Sequence, residues 1–95
     1  MRKINWSIPA RDDLRRIAVW LDAEVTPDIA VRYLRAIRAR CEALEHFPKR
    51  GPQIGKEARK LLVQGTPYII LYRMIGADIE VVRVFHNREN WRDEA

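Results

Sequence analysis

Glycine and cysteine are scarce: the 95 residues hold four glycines and one cysteine. A single thiol, Cys41, closes no intramolecular disulfide, and the longest apolar runs fall far short of the roughly 18 residues a membrane-spanning helix needs. No His, Cys, Asp or Glu grouping has metal-ligand spacing. Gly51 and Gly55 lack the strand-then-helix context of a nucleotide-binding loop, so neither a metal nor a cofactor is expected. There is no charged-then-apolar leader, no internal repeat and no low-complexity tract. The simplest expectation is a soluble cytoplasmic protein built as a single domain over residues 1–95.

What is abundant is positive charge. Eighteen Lys and Arg against thirteen Asp and Glu leave a net charge of +5. That favours an acidic partner: a nucleic acid, a machine built around one, or an acidic protein segment.

Residues 68–74 and 79–85 are rich in β-branched and aromatic side chains, and Ile75-Gly76-Ala77-Asp78 between them supplies a hairpin turn. Each strand carries one arginine, Arg73 and Arg83, which an apolar core cannot hold unpaired. One face of this sheet must therefore be wet, paired or functional. Upstream, residues 3–8 alternate as a half-buried strand. Ser7 and Pro9 start a helix over about residues 9–24, with Asp12 and Asp13 placed to complement its dipole. Thr26-Pro27-Asp28 starts a second helix, which Pro48 and Gly51 end near Phe47. So short a link makes the pair an antiparallel helix hairpin. Residues 48–57 read as a loop, and 59–63 as a strand turned by Gly65-Thr66-Pro67 into the hairpin. The expected fold is α+β in two layers: an N-terminal strand, an antiparallel helix hairpin packed on one sheet face, and a three-stranded antiparallel meander whose other face is partly open.

Three groups of residues are candidates for function. Lys56, Arg59, Lys60, Arg73 and Arg83 could converge to cradle phosphates, or pair in ordinary fashion with Glu57, Asp78 or Glu80. The tail His86-Asn87-Arg88-Glu89-Asn90-Trp91 offers an imidazole beside a guanidinium, suited to acid–base work on a ribose hydroxyl; the bland alternative is a strand terminus that tucks Trp91 onto the core. Among the aromatics, Trp20 falls at the edge of its helix stripe, where it would anchor a partner. Cys41 and His46 read as structural.

The pattern Ala10-x-x-Asp13-Leu14-x-x-Ile17, the break Phe47-Pro48-x-x-Gly51, and Tyr68-x-Ile70-x-Tyr72-Arg73 followed by Val82-Arg83-Val84-Phe85-His86 resemble the RelE/ParE superfamily of bacterial type II toxins. The likeness spans nearly the whole chain and implies the same fold. It also implies a cognate antitoxin, ParD-like or similar, assembled with the toxin in a hetero-oligomer. RelE-like members cleave mRNA on the ribosome; ParE-like members poison DNA gyrase. Of the two lysines in the RelE-like site, Lys60 fills one position and Leu62 the other; Ile69 stands where an arginine follows the strand-opening tyrosine, and Asn87 at the tail arginine. A further nuclease branch ends its last strand with His-Tyr, of which His86-Asn87 keeps half. The resemblance thus points to the ParE-like branch, a gyrase inhibitor with no catalytic residues and no sequence-specific nucleic-acid binding. The alternatives are an mRNA endoribonuclease using His86, Arg88 and Lys60, and a basic RNA-binding module. Target contacts are expected from Arg73, Arg83, His86, Arg88, Asn90 and Trp91, and antitoxin contacts from Trp20, Tyr33 and Tyr68.

Overall fold

Two hydroxyl caps start the helices in the computed structural model, which describes residues 2–88. Ser7 Oγ accepts from Ala10 N at 3.1 Å and Thr26 Oγ1 from Ile29 N at 3.2 Å, with proline in each first turn. The first helix, α1, spans Ile8–Glu24 and the second, α2, Pro27–Glu42; a 3-10 turn at Ala43–Glu45 completes the run expected to reach Phe47. Ile8 lies in the helix and is exposed, instead of ending the first strand, because Ser7 already serves as the cap.

Among the described residues, five strands follow the order β1-β5-β4-β3-β2. They are β1 (Ile4–Trp6), β2 (Gln53–Ile54), β3 (Ala58–Leu62), β4 (Tyr68–Ile75) and β5 (Asp78–His86). The N-terminal strand runs parallel to β5, and the remaining pairs are antiparallel. This is the expected α+β arrangement with one addition. The segment read as a loop contains β2, too short for any periodicity to show, paired with Ala58 and Arg59. Gly76, at φ 60°, lets the β4–β5 strands meet in a two-residue turn.

Alternation along β4 sorts the side chains. Tyr68, Ile70 and Tyr72 join Leu61, Val81 and Val84 beneath Leu21, Ile37, Cys41 and Leu44 of the helical layer. The opposite face is less open than expected, for Ile69, Leu71 and Phe85 form a second buried cluster there with Ile54, Ala58 and Val82 against it. Leu71 faces Arg83 but Tyr72 faces Val81, so Val82 is the extra residue of a bulge in β5.

Burial of two weak acids gives the fold an alkaline limit. The Cys41 thiol is pushed from 9.0 up to about 12, first by burial and then by Glu42. The Tyr72 phenol is pushed above 10.0 by burial, against the opposing pull of Gly51 N–H, Arg59 and Arg40. Both groups keep their protons longer folded than unfolded. Their contribution to stability is therefore full below pH 9.0 and is lost as pH rises toward 12, where the unfolded chain binds fewer protons. Urea midpoints measured across that range should fall, and fall less in Cys41→Ala; an identical decline in both proteins would remove Cys41 as a cause.

Candidate functional site

The stripe that turns Leu14, Ile17 and Leu21 toward the sheet also turns Asp13 inward, and Asp13 is only 2% exposed. Its carboxylate takes Arg83 Nε at 2.8 Å and Nη2 at 2.9 Å in a side-on fork, Val84 N at 2.9 Å, and Arg16 Nη2. Asp13 was expected to serve the helix dipole. Instead it latches α1 to β5, and only its neighbour Asp12 meets solvent, paired with Arg15 at 2.9 Å. Arg83, proposed for target contact, is the other half of the latch: its side chain is 20% exposed and its guanidinium lies 4.8 Å from the Phe85 ring centre. The signal was present in the sequence, since Asp13 sits three residues after Ala10 and four before Ile17 on one apolar stripe.

The other cations are separated by the same strand geometry. Arg59 faces Tyr72 on the helix side and donates to Gly51 O at 2.8 Å and Lys49 O at 3.3 Å. Lys60 faces Leu71 on the opposite side, and Lys56 stays exposed in the β2–β3 turn. Arg73 pairs with Glu80 at 2.9 Å. His86 lies across from Tyr68, its ring edge-on to that tyrosine at 5.7 Å and its Nδ1 accepting from Arg88 N at 3.2 Å. At about 3.3 Å per residue, roughly 16 Å of β4 separates Tyr68 from Arg73. His86 is therefore remote from Arg73 and on the other face from Lys60. Arg59 and Arg73 line one shallow hollow with Gln53 and Glu57, but Lys56, Lys60 and Arg83 do not join them there, so the five do not gather around one transferring phosphate. Asn90 and Trp91 lie outside the described residues.

On the helical layer the expected partner residues divide. Trp20 is 55% exposed beside the exposed Val19, above a shallow hollow that Arg15, Arg16, Ala23 and Glu24 complete. Tyr33 is half-buried, edge-on to Tyr68 at 6.1 Å. Tyr68, at 3% exposure, is a core residue with no surface to offer. Sequence reasoning missed a groove of about 540 Å³ between α1, α2 and β1. Its floor is Ile4, Trp6, Leu14, Ala18 and Leu34; Arg11, Arg15 and Arg38 stand on its rim with Glu42. These residues are scattered from 4 to 42, so no local motif marks them. Among the described residues no helix is long and apolar enough to cross a membrane.

The molecule is thus a helix hairpin on a mixed sheet, with arginines around an apolar groove. The fold matches a chain of the chromosomal ParDE toxin–antitoxin system from P. aeruginosa, with a TM-score of 0.80 at 21% identity over 90% of this chain and 96% of that one. A protein of Sinorhizobium fredii named toxin Y4kP is 33% identical over 91 residues, covering 95% of this chain and 93% of its own. Toxin RelE1 of Caulobacter vibrioides is 32% identical over 85 residues, 87% of this chain and 90% of its own. The family described as the ParE toxin of the type II toxin–antitoxin system parDE matches residues 4–91, and the chain belongs to that family.

Proposed function

We propose that this ParE-family toxin, a single domain over residues 1–95, acts in the cytoplasm by binding DNA gyrase and is neutralised by a cognate ParD-like antitoxin. The observation that carries the reading is the separation of the cations: Arg59 and Lys60 on opposite faces, Arg83 locked on Asp13, Arg73 on Glu80. Phosphodiester cleavage needs donors preorganised around the developing charge, and this arrangement supplies a surface for binding instead. Purified protein should inhibit gyrase supercoiling, trap gyrase-cleaved DNA and leave mRNA on programmed ribosomes intact. The relative named toxin RelE1 favours a second reading, an mRNA endoribonuclease. Cutting of ribosome-bound mRNA that His86→Ala abolishes, with gyrase unaffected, would establish it. Alanine changes at Arg73, His86, Arg88, Asn90 and Trp91 should reduce killing while soluble protein still accumulates.

The antitoxin segment suited to this surface is acidic and amphipathic. Its apolar side would cover the floor around Trp6 and Leu14, and its carboxylates would meet Arg11, Arg15 and Arg38. Trp20 would serve as a neighbouring anchor. Trp20→Ala should weaken antitoxin binding at least tenfold in titration calorimetry while moving the melting temperature of the free toxin by no more than a few degrees. Comparable losses of affinity and stability would return Trp20 to a packing role.

A further inference from the structure

A second cationic surface lies at the other end of the sheet from His86. Lys3 O accepts from Ile79 N at 2.9 Å, which places the N-terminal segment at the start of β5, whereas His86 closes that strand. Beside it Arg2, Phe47, Pro48, Lys49 and Arg50 line a shallow hollow of about 610 Å³, with three cations and no carboxylate among them. Phe47 is 59% exposed, and the Arg50 guanidinium stands 5.7 Å from its ring centre. Arg2 donates Nη1 to Glu45 O at 3.3 Å, and its buried Nε has no acceptor among the described residues.

This exposed ring is held firmly from below. Gly51 N donates to Tyr72 Oη at 3.0 Å, and that hydroxyl donates to Pro48 O at 2.9 Å. Arg50 N donates to Phe47 O at 3.1 Å, and Arg59 reaches Lys49 O and Gly51 O from β3. A buried tyrosine and an arginine thus fix a segment whose apex is an aromatic face flanked by positive charge. A surface set in advance loses little entropy when a flat ligand settles on it.

We infer that the Phe47–Arg50 surface is a binding site for single-stranded nucleic acid, one base stacking on Phe47 and the adjoining phosphates paired with Lys49, Arg50 and Arg2. Stacking tolerates any base, and cations follow the backbone, so recognition is independent of sequence. The site lies at the other end of the sheet from His86, which is offered for gyrase contact, and the supercoiling assay and the binding assay below fail independently of each other.

The test is fluorescence anisotropy with a labelled single-stranded oligothymidylate at several salt concentrations. Phe47→Ala should lower affinity roughly tenfold or more, and Phe47→Trp should restore it. Lys49→Gln and Arg50→Gln should each flatten the salt dependence by about 0.7 in slope. Arg35→Gln, an equal loss of charge on the exposed side of α2, should leave the slope near that of the parent. Unchanged affinity in Phe47→Ala, or an effect of Arg35→Gln as large as that of Arg50→Gln, overturns the proposal in favour of diffuse charge. A polyglutamate peptide whose binding depends on Phe47 as strongly as the oligonucleotide's overturns it in favour of an acidic protein ligand. Phe47 and Arg50 are exposed, so thermal midpoints close to the parent's are expected and exclude unfolding as the cause.

Discussion

Asp13→Ala is expected to lower the unfolding free energy by about 3 kcal/mol, the lower end of what removing one partner of a buried ion pair costs. The change strips the acceptor from Arg83 Nε and Nη2 and from Val84 N, and neither Leu14 nor Ile17 can supply another. Arg83 keeps some exposure and can turn toward water, which limits the loss; the Val84 N–H cannot. For a domain of this length the melting temperature should drop by roughly 12–24 °C. Replacing both Asp13 and Arg83 with leucine should cost less than the sum of the two single changes, because the pair then leaves no lone buried charge. Urea denaturation of the four proteins measures this coupling. An Asp13→Ala protein within 1 kcal/mol of the parent, on the roughly 1 ± 0.5 scale of a single ordinary hydrogen bond, would show that the latch contributes little. The result also bears on killing assays, for an Arg83 variant that loses toxicity through misfolding says nothing of target contact.

Gly51→Ala should cost a further 2–3 kcal/mol, roughly, for a reason unrelated to glycine's freedom in φ. Gly51 is buried under β3, and a Cβ there would stand 2.1 Å from Lys60 O and 3.1 Å from Tyr72 Cε1. The first contact is with backbone, which cannot swing aside, so the 47–51 segment must lift. Lifting it breaks the Gly51 N–H bond to Tyr72 and the Tyr72 bond to Pro48 O. Tyr72→Phe removes the hydroxyl without the clash and leaves those two backbone groups unpaired, at about 1–3 kcal/mol. Gly65→Ala is the comparison: its φ of +79° is strained for alanine, but nothing lies within 4 Å, so only the backbone penalty of roughly 1–2 kcal/mol applies. Denaturant midpoints should rank Gly51→Ala below Gly65→Ala. The opposite order would mean that the segment yields easily, and would weaken the case for Phe47 as a preset surface.

Both expectations rest on contacts that local reading handled unevenly. The caps at Ser7 and Thr26, the helix hairpin and the β4–β5 hairpin were legible because each depends on residues a few positions apart. The exposed Trp20 was legible too, as a position at the edge of its helix stripe. Tyr68 was not, because an aromatic at a strand start reads the same whether it faces the helices or solvent. The two-residue strand β2 escaped because its pairing with Ala58 and Arg59 is stated nowhere in its own composition.

From the order of residues alone came the helical periods and the turn at Gly76, each carried by near neighbours along the chain, together with the surplus of positive charge and the family pattern, which need composition and order but no contacts. Only folding in three dimensions decided that Arg83 should close on Asp13, seventy positions away, that Arg59 and Lys60 should part to opposite faces, and that Phe47 should stand beside Arg2. The physical reason is that charge pairing and burial act through space. A guanidinium carries the same charge in every context, and which carboxylate, backbone oxygen or solvent answers it is settled by the strand and helix that bring them within hydrogen-bond reach.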